Sequence, residues 1–135
     1  MDLSTLNWWA ILVAALSTFV LGGLWYSPLL FAKAWMKTNA MTAEDEKKGN
    51  PALIFGLSFL AALIMAFNLA VFLNDAGTTP VWGLTAGVLA GLGWVALSLV
   101  IIGLFERRKP AWMLINGGYM TVAFALMGLI LGSWR

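Results

Sequence analysis

The sequence predicts an all-α, polytopic membrane protein, a bundle of four transmembrane helices with a short interfacial helix after the first. Hydrophobic residues make up 61% of its 135 positions and charged residues only 10%, outside the usual range of a water-soluble globule. Four apolar runs, at residues 6–27, 52–74, 81–105 and 111–134, each reach the roughly 20 residues that cross the hydrocarbon core, and none holds a charge in its interior. Lipid offers no partner to backbone N–H and C=O groups, so runs of this length are read as helices. Together they form a single membrane domain.

The first span begins after Asn7 and carries no basic n-region ahead of it, only Asp2. No small-residue cleavage site leads into a polar mature domain, so the run is expected to be retained as a helix rather than removed as a signal peptide. Pro28 stops or kinks it. Beyond Pro28, Phe31 and Trp35 share one face at helical spacing, while Lys33 and Lys37 share another, the pattern of a short amphipathic helix lying in the interface. Thr42 followed by Asp45 resembles an N-terminal capping pair. Asn50 and Pro51 then open the second span, and the turn Asn74-Asp75-Ala76-Gly77-Thr78-Thr79-Pro80 leads tightly into the third.

The connections hold nearly all the charge: loop 28–51 holds Lys33, Lys37, Glu44, Asp45, Glu46, Lys47 and Lys48, and loop 106–110 holds Glu106, Arg107, Arg108 and Lys109. Lys and Arg divide seven against one, the exception being Arg135, and four spans place those two loops on one side. By the positive-inside rule that side is the cytoplasm, with both termini outside and the 75–80 loop with them. Seven of the eight tryptophans fall at span ends, as interfacial belts require; Trp94, near the middle of the third span, is the exception. An indole N–H at that depth calls for a hydrogen-bond partner.

Small residues recur every four positions. Gly83, Gly87 and Gly91 form the strictest series, and ideal helical geometry extends their face to Trp94 and Ser98. Ala10, Ala14, Thr18 and Gly22, then Ala62, Ala66 and Ala70, then Gly128 and Gly132, repeat it on the other spans. Such faces let helix backbones approach closely, within one chain or in a homo-oligomer. Polar residues at membrane depth are few and uncharged, among them Asn68, Ser98, Asn116 and Tyr119. Asn116 and Tyr119 share a face, at a depth where Tyr26 and Ser27 could meet them, which makes these residues candidates for an interhelical hydrogen bond or a ligand contact. Lys33, Lys37, Arg107, Arg108 and Lys109 are topogenic charges suited also to anionic lipid head groups.

With no cysteine and no histidine, the chain lacks thiolate chemistry and the commonest metal ligand. An enzyme, a metal site and a cofactor are therefore not expected. The excess of basic over acidic residues is too small to suggest a nucleic-acid partner. The composition points to a non-enzymatic component serving packing, assembly or lipid contact. The alternative is a small transporter or an oligomeric channel with an uncharged polar path, lined by Asn68, Ser98 or Asn116. A proton-coupled exporter of this size is disfavoured, because no membrane-embedded carboxylate is available.

Several segments carry a resemblance. Asn7-Trp8, then Gly22-Gly23-Leu24-Trp25-Tyr26-Ser27-Pro28-Leu29-Leu30-Phe31 with Lys33 and Trp35-Met36, then Leu104-Phe105-Glu106 before Pro110, Leu114-Ile115-Asn116-Gly117-Gly118-Tyr119 and Gly132-Ser133-Trp134 resemble a domain-of-unknown-function family of small four-helix bacterial membrane proteins. The resemblance spans nearly the whole chain and implies the architecture and a bacterial inner-membrane location. It brings no activity with it. Where the family pattern has one basic residue before the proline of the third loop, this chain has Arg107, Arg108 and Lys109.

The topology has a direct test, because the natural chain has no cysteine. Single cysteines replacing Lys48 and Thr78 should react with an impermeant maleimide from opposite faces of oriented membranes; equal labelling of both from one face would overturn the assignment.

Overall fold

A computed structural model of the protein describes residues 2–135, the side chains of residues 43 and 46 excepted; the side chain of Glu46, counted above among the loop charges, thus lies outside the described residues. After a short 3₁₀ turn at Leu3–Thr5 come α1 (Trp8–Trp25), α2 (Ala32–Thr38), α3 (Ala43–Glu46), α4 (Pro51–Phe72), α5 (Pro80–Ala90), α6 (Leu97–Phe105) and α7 (Pro110–Ser133), with a π-helical segment at Gly91–Ala96 joining α5 to α6. No strand occurs among the described residues. Four rods are long and apolar enough to cross a membrane: α1, α4, the continuous Pro80–Phe105 rod, and α7.

The helix starts follow from local chemistry. Asn7, Asn50 and Thr79 each accept a hydrogen bond from a backbone N–H in the first turn of the span that follows, satisfying donors that a helix start leaves free. Pro51, Pro80 and Pro110 stand at first helical positions, where a missing N–H costs nothing. Thr42 and Asp45 form a reciprocal capping box on α3. The Thr42 backbone N–H, then Lys48 and the Thr42 hydroxyl, hold the Asp45 carboxyl below its ordinary value. With the folded pKa depressed, this cap is complete above the usual carboxylate range and is lost as pH falls through the lowered value.

The two ends of the bundle differ. At one end Asn7 donates to the Trp134 carbonyl at 3.4 Å, Arg135 to the Leu73 carbonyl at 3.1 Å, and Asn74 to Thr5 Oγ1 at 2.8 Å. Both chain termini and the turn before α5 therefore meet there. At the other end the α1–α2 connection lies against the start of α7, beside the α6–α7 turn. All the basic residues except Arg135 belong to the loops of that second, basic end.

The central helix is α7, which packs against α1, α2, α4, α5 and α6 and has the longest series of buried positions. Its contact with α5 is backbone on backbone. A Cβ placed on Gly83 would run into the Gly128 carbonyl oxygen, one on Gly87 into the Phe124 carbonyl, and one on Gly128 into the Gly83 carbonyl; one on Gly132 would stand 2.7 Å from the Thr79 carbonyl oxygen. In lipid, where burying a leucine brings no solvent-driven gain, such close approach is what makes one helix prefer another. On its other side α7 meets α1 and α4, where Ala10, Ala14, Ala62, Ala66 and Ala70 join Leu69, Leu73, Met127 and Leu131 in one buried cluster.

The π segment corrects the reading of the third span. An unbroken α-helix would carry the glycine face from Gly91 to Trp94 and Ser98. Instead the inward series runs Gly83, Gly87, Gly91, Ala96 and Gly103, all buried, and the step from Gly91 to Ala96 is five residues. A π turn accommodates one extra residue. Downstream side chains are thereby rotated so that Ala96 meets Gly117 and Gly103 meets Met113 and Trp112. Trp94 turns outward, 72% exposed, and Ser98 is exposed with its hydroxyl donated to the Trp94 carbonyl. Among the described residues the Trp94 indole has no hydrogen-bond partner; the surface it occupies faces away from the protein.

Gly87→Leu should therefore separate α5 from α7, where even a methyl group meets backbone that cannot yield, at a cost of at least about 1–3 kcal/mol by overpacking. Gly56→Ala, whose new Cβ would meet nothing within 4 Å, should leave stability unchanged or slightly raised. Thermal melts of both variants in the same detergent check the contrast.

Candidate functional site

The polar side chains at the basic end interlock α1 with α7. The Tyr26 hydroxyl donates to Asn116 Oδ1 at 2.7 Å, and the same amide donates through Nδ2 to the Trp112 carbonyl at 3.0 Å. In return Tyr119 reaches across to α1 and donates to the Thr18 carbonyl at 3.0 Å. The two phenol rings meet edge to face at 5.3 Å. Trp25 completes the set by donating its indole N–H to the Ile115 carbonyl at 2.9 Å.

Glycines make that interlock sterically possible. A Cβ on Gly22 would stand 3.1 Å from the Tyr119 hydroxyl, and one on Gly118 would stand 3.1 Å from the Trp25 ring. Each helix thus leaves a gap where the other inserts an aromatic ring. The α2 segment adds a further layer, with Trp35 edge-on to Tyr26 at 5.9 Å and Phe31 against Trp25 at 4.8 Å. Lys33 and Lys37 project from the exposed side of α2.

Beside this interlock lies a cleft. The buried residues of α4 fall in its second half, at Ala62, Ala66, Leu69 and Ala70, whereas residues 51–58 are all exposed. The helix meets α1 near the terminal end and leaves it toward the basic end. Between them opens a cleft of about 780 Å³, within the range of ligand sites. Thr18, Tyr26, Asn116 and Tyr119 give it a polar side; Phe19, Phe55 and Met65 stand among its apolar wall. No charged side chain lines it.

The structure brings together Tyr26, Asn116 and Tyr119. It does not bring Ser27 to them: that hydroxyl bonds back to the Leu24 carbonyl at 2.6 Å. Asn68 is exposed on α4, and Ser98 and Trp94 face outward from the third span. Asn68, Ser98 and Asn116 therefore line no common path through the chain. Gly83, Gly87, Gly91, Gly128 and Gly132 are all used in contacts within the chain, where the third span meets α7. Arg107 and Lys109 are exposed at the α6–α7 turn, while Arg108 pairs with Glu106 at 3.1 Å and lies over the Trp112 ring at 5.4 Å. Among the described residues no group of three or more Asp and Glu side chains is placed to hold a metal ion.

Sequence reading missed Thr18 as a polar group, because its four-residue spacing from Ala14 and Gly22 marked it only as a packing residue. It also assigned Trp25 no partner on another helix. The adjacency of Trp25 to Tyr26, opposite a Gly117-Gly118-Tyr119 run, was the available signal for the interlock.

These features define a polytopic helical protein of membrane-span-like rods, with a polar interlock and a lateral cleft near one end. The chain belongs to the family described as "Protein of unknown function (DUF1761)", which it matches over residues 9–132. No curated protein and no solved structure matches it.

Loss of one interlock bond should cost little and loss of its steric fit much more. Tyr119→Phe should lower stability by about 0.6 kcal/mol, the average for interhelical hydrogen bonds in membranes. Gly22→Leu, which drives a side chain into Tyr119, should cost about 1–3 kcal/mol. Thermal melts of both variants in the same detergent compare them.

Proposed function

We propose that the protein is a non-enzymatic bacterial inner-membrane component that acts through contact with lipid, with both termini outside the cytoplasm and its basic end against the anionic inner leaflet. The observation that supports this reading is the segregation of charge. Lys33, Lys37, Arg107 and Lys109 are exposed at one end of the bundle, separated from Arg135 by the length of one apolar rod. Basic residues near an anionic leaflet are attracted by on the order of 1 kcal/mol each. A structural use of the membrane-depth hydroxyls and amide is supported by their partners, since Tyr26, Tyr119 and Asn116 all donate to other protein groups.

One observation favours a transporter as the second reading. The cleft opens toward the basic half, and the alanine cluster of α1 and α4 closes the other half, an arrangement suited to one state of alternating access.

Adding phosphatidylglycerol to the protein in neutral detergent should raise the melting temperature of the natural chain. The rise should be smaller for a variant carrying Lys33→Ala, Lys37→Ala, Arg107→Ala and Lys109→Ala, and the difference should shrink at high salt. Equal rises in both proteins would count against lipid contact through these residues.

A further inference from the structure

Thr18 is 94% buried, with 6% of its surface exposed, and its hydroxyl oxygen is the one buried side-chain polar atom without a partner among the described residues. A threonine in a helix ordinarily turns its hydroxyl back to the carbonyl four residues earlier. Here the Ala14 carbonyl already accepts from Ser17 Oγ at 2.6 Å, and Thr18 Oγ1 is left unused and enclosed, in a residue that lines the cleft and whose Cα–Cβ bond can turn the hydroxyl toward it. A buried polar group left unmade is costly, and most such groups in native proteins find a partner.

The position of this hydroxyl restricts what can meet it. Thr18 lies seven residues before the basic end of α1, about 10 Å along the helix at 1.5 Å per residue. At that depth a phosphate or carboxylate would need a cation beside it, and the cleft has none. Its other polar groups are neutral: they include Ser58, Asn116 and the Tyr26 and Tyr119 hydroxyls, and the two phenols have spent their protons on protein acceptors and keep lone pairs to accept with. The walls are aromatic rings and methionine, and the cleft lies open among α1, α4 and α7, membrane-span-like helices rich in apolar residues. A molecule already dissolved in the bilayer can enter there without crossing water.

We propose that this cleft is a binding site for an uncharged membrane lipid, whose carbonyl or hydroxyl oxygen takes the hydrogen bond that Thr18 leaves unmade while its hydrocarbon tail passes out between α1 and α4. The assignment is independent of the anionic head-group contact at the basic end, because it uses none of the charged residues.

The test uses the full chain in detergent, with native mass spectrometry reading the bound species. Two neutral probes separate the sources of the oxygen: dioctanoylglycerol, with ester and hydroxyl groups, and a decyl-substituted benzoquinone, with ring carbonyls. Dioctanoyl phosphatidylglycerol is the charged control. One copy of at least one neutral probe should bind saturably, and the charged control should not compete with it. Gly23→Phe should abolish that binding with the melting temperature unchanged, because Gly23 lines the cleft and its added Cβ would meet nothing within 4 Å. Thr18→Val should weaken binding about three- to tenfold, the range for one hydrogen bond, while holding or raising the melting temperature of the ligand-free protein. Failure of both neutral probes to bind, equal competition by the charged lipid, or natural affinity in Gly23→Phe would each overturn the proposal.

Discussion

Everything in this bundle depends on how near α7 can come to its neighbours. Water drives apolar side chains together in a soluble protein, whereas lipid tails solvate leucine as well as another helix does, leaving packing and hydrogen bonding to select partners. The protein meets this constraint with residues that have almost no side chain. Gly83, Gly87, Gly128 and Gly132 bring two backbones to a separation that even alanine forbids, and alanines do the same work, less closely, between α1 and α4. The bulky residues are left for the outside: Val20, Leu29, Phe105 and Leu114 are all largely exposed, which in a bilayer is where they belong.

The same economy explains the polar interlock. Tyr26, Asn116, Tyr119 and Trp25 hold α1 to α7 through bonds of modest individual strength, yet two of the rings, those of Tyr119 and Trp25, each need a glycine opposite to be admitted. Gly22 makes room for Tyr119 and Gly118 for Trp25, so the glycines and aromatics of these two segments form one reciprocal device. The cost of the arrangement is borne by α4, which closes on α1 through alanines near the terminal end and has no such device near the basic end. The cleft is what that asymmetry leaves.

Much of this was legible in the sequence. The four spans and the grouping of basic loops follow from hydrophobic length and charge, because those patterns are imposed by the bilayer itself and need no knowledge of packing. The capping pair Thr42 and Asp45 and the proline starts at Pro51, Pro80 and Pro110 are local chemistry and read equally well. The phase of the third span was not legible. Nothing about Gly91-Leu92-Gly93-Trp94-Val95-Ala96 announces a π turn, since the turn exists to keep Ala96 and Gly103 against a helix that local sequence does not see. Thr18 was hidden for a related reason: its spacing marks a packing residue, and only the competing Ser17 hydroxyl, one residue away, deprives it of the Ala14 carbonyl.

The central place of α7 bears on how the chain is made. It is the last of the four spans in sequence and the chief partner of the third, so as the protein emerges the Pro80–Phe105 rod must enter the bilayer before the surface it fits exists. Until α7 arrives, a line of bare glycine backbone faces lipid, open to capture by any other helix with a small-residue face. The short turn from Glu106 to Lys109 holds that interval to little more than the 24 residues of α7 itself and returns the chain in the antiparallel direction the glycines require.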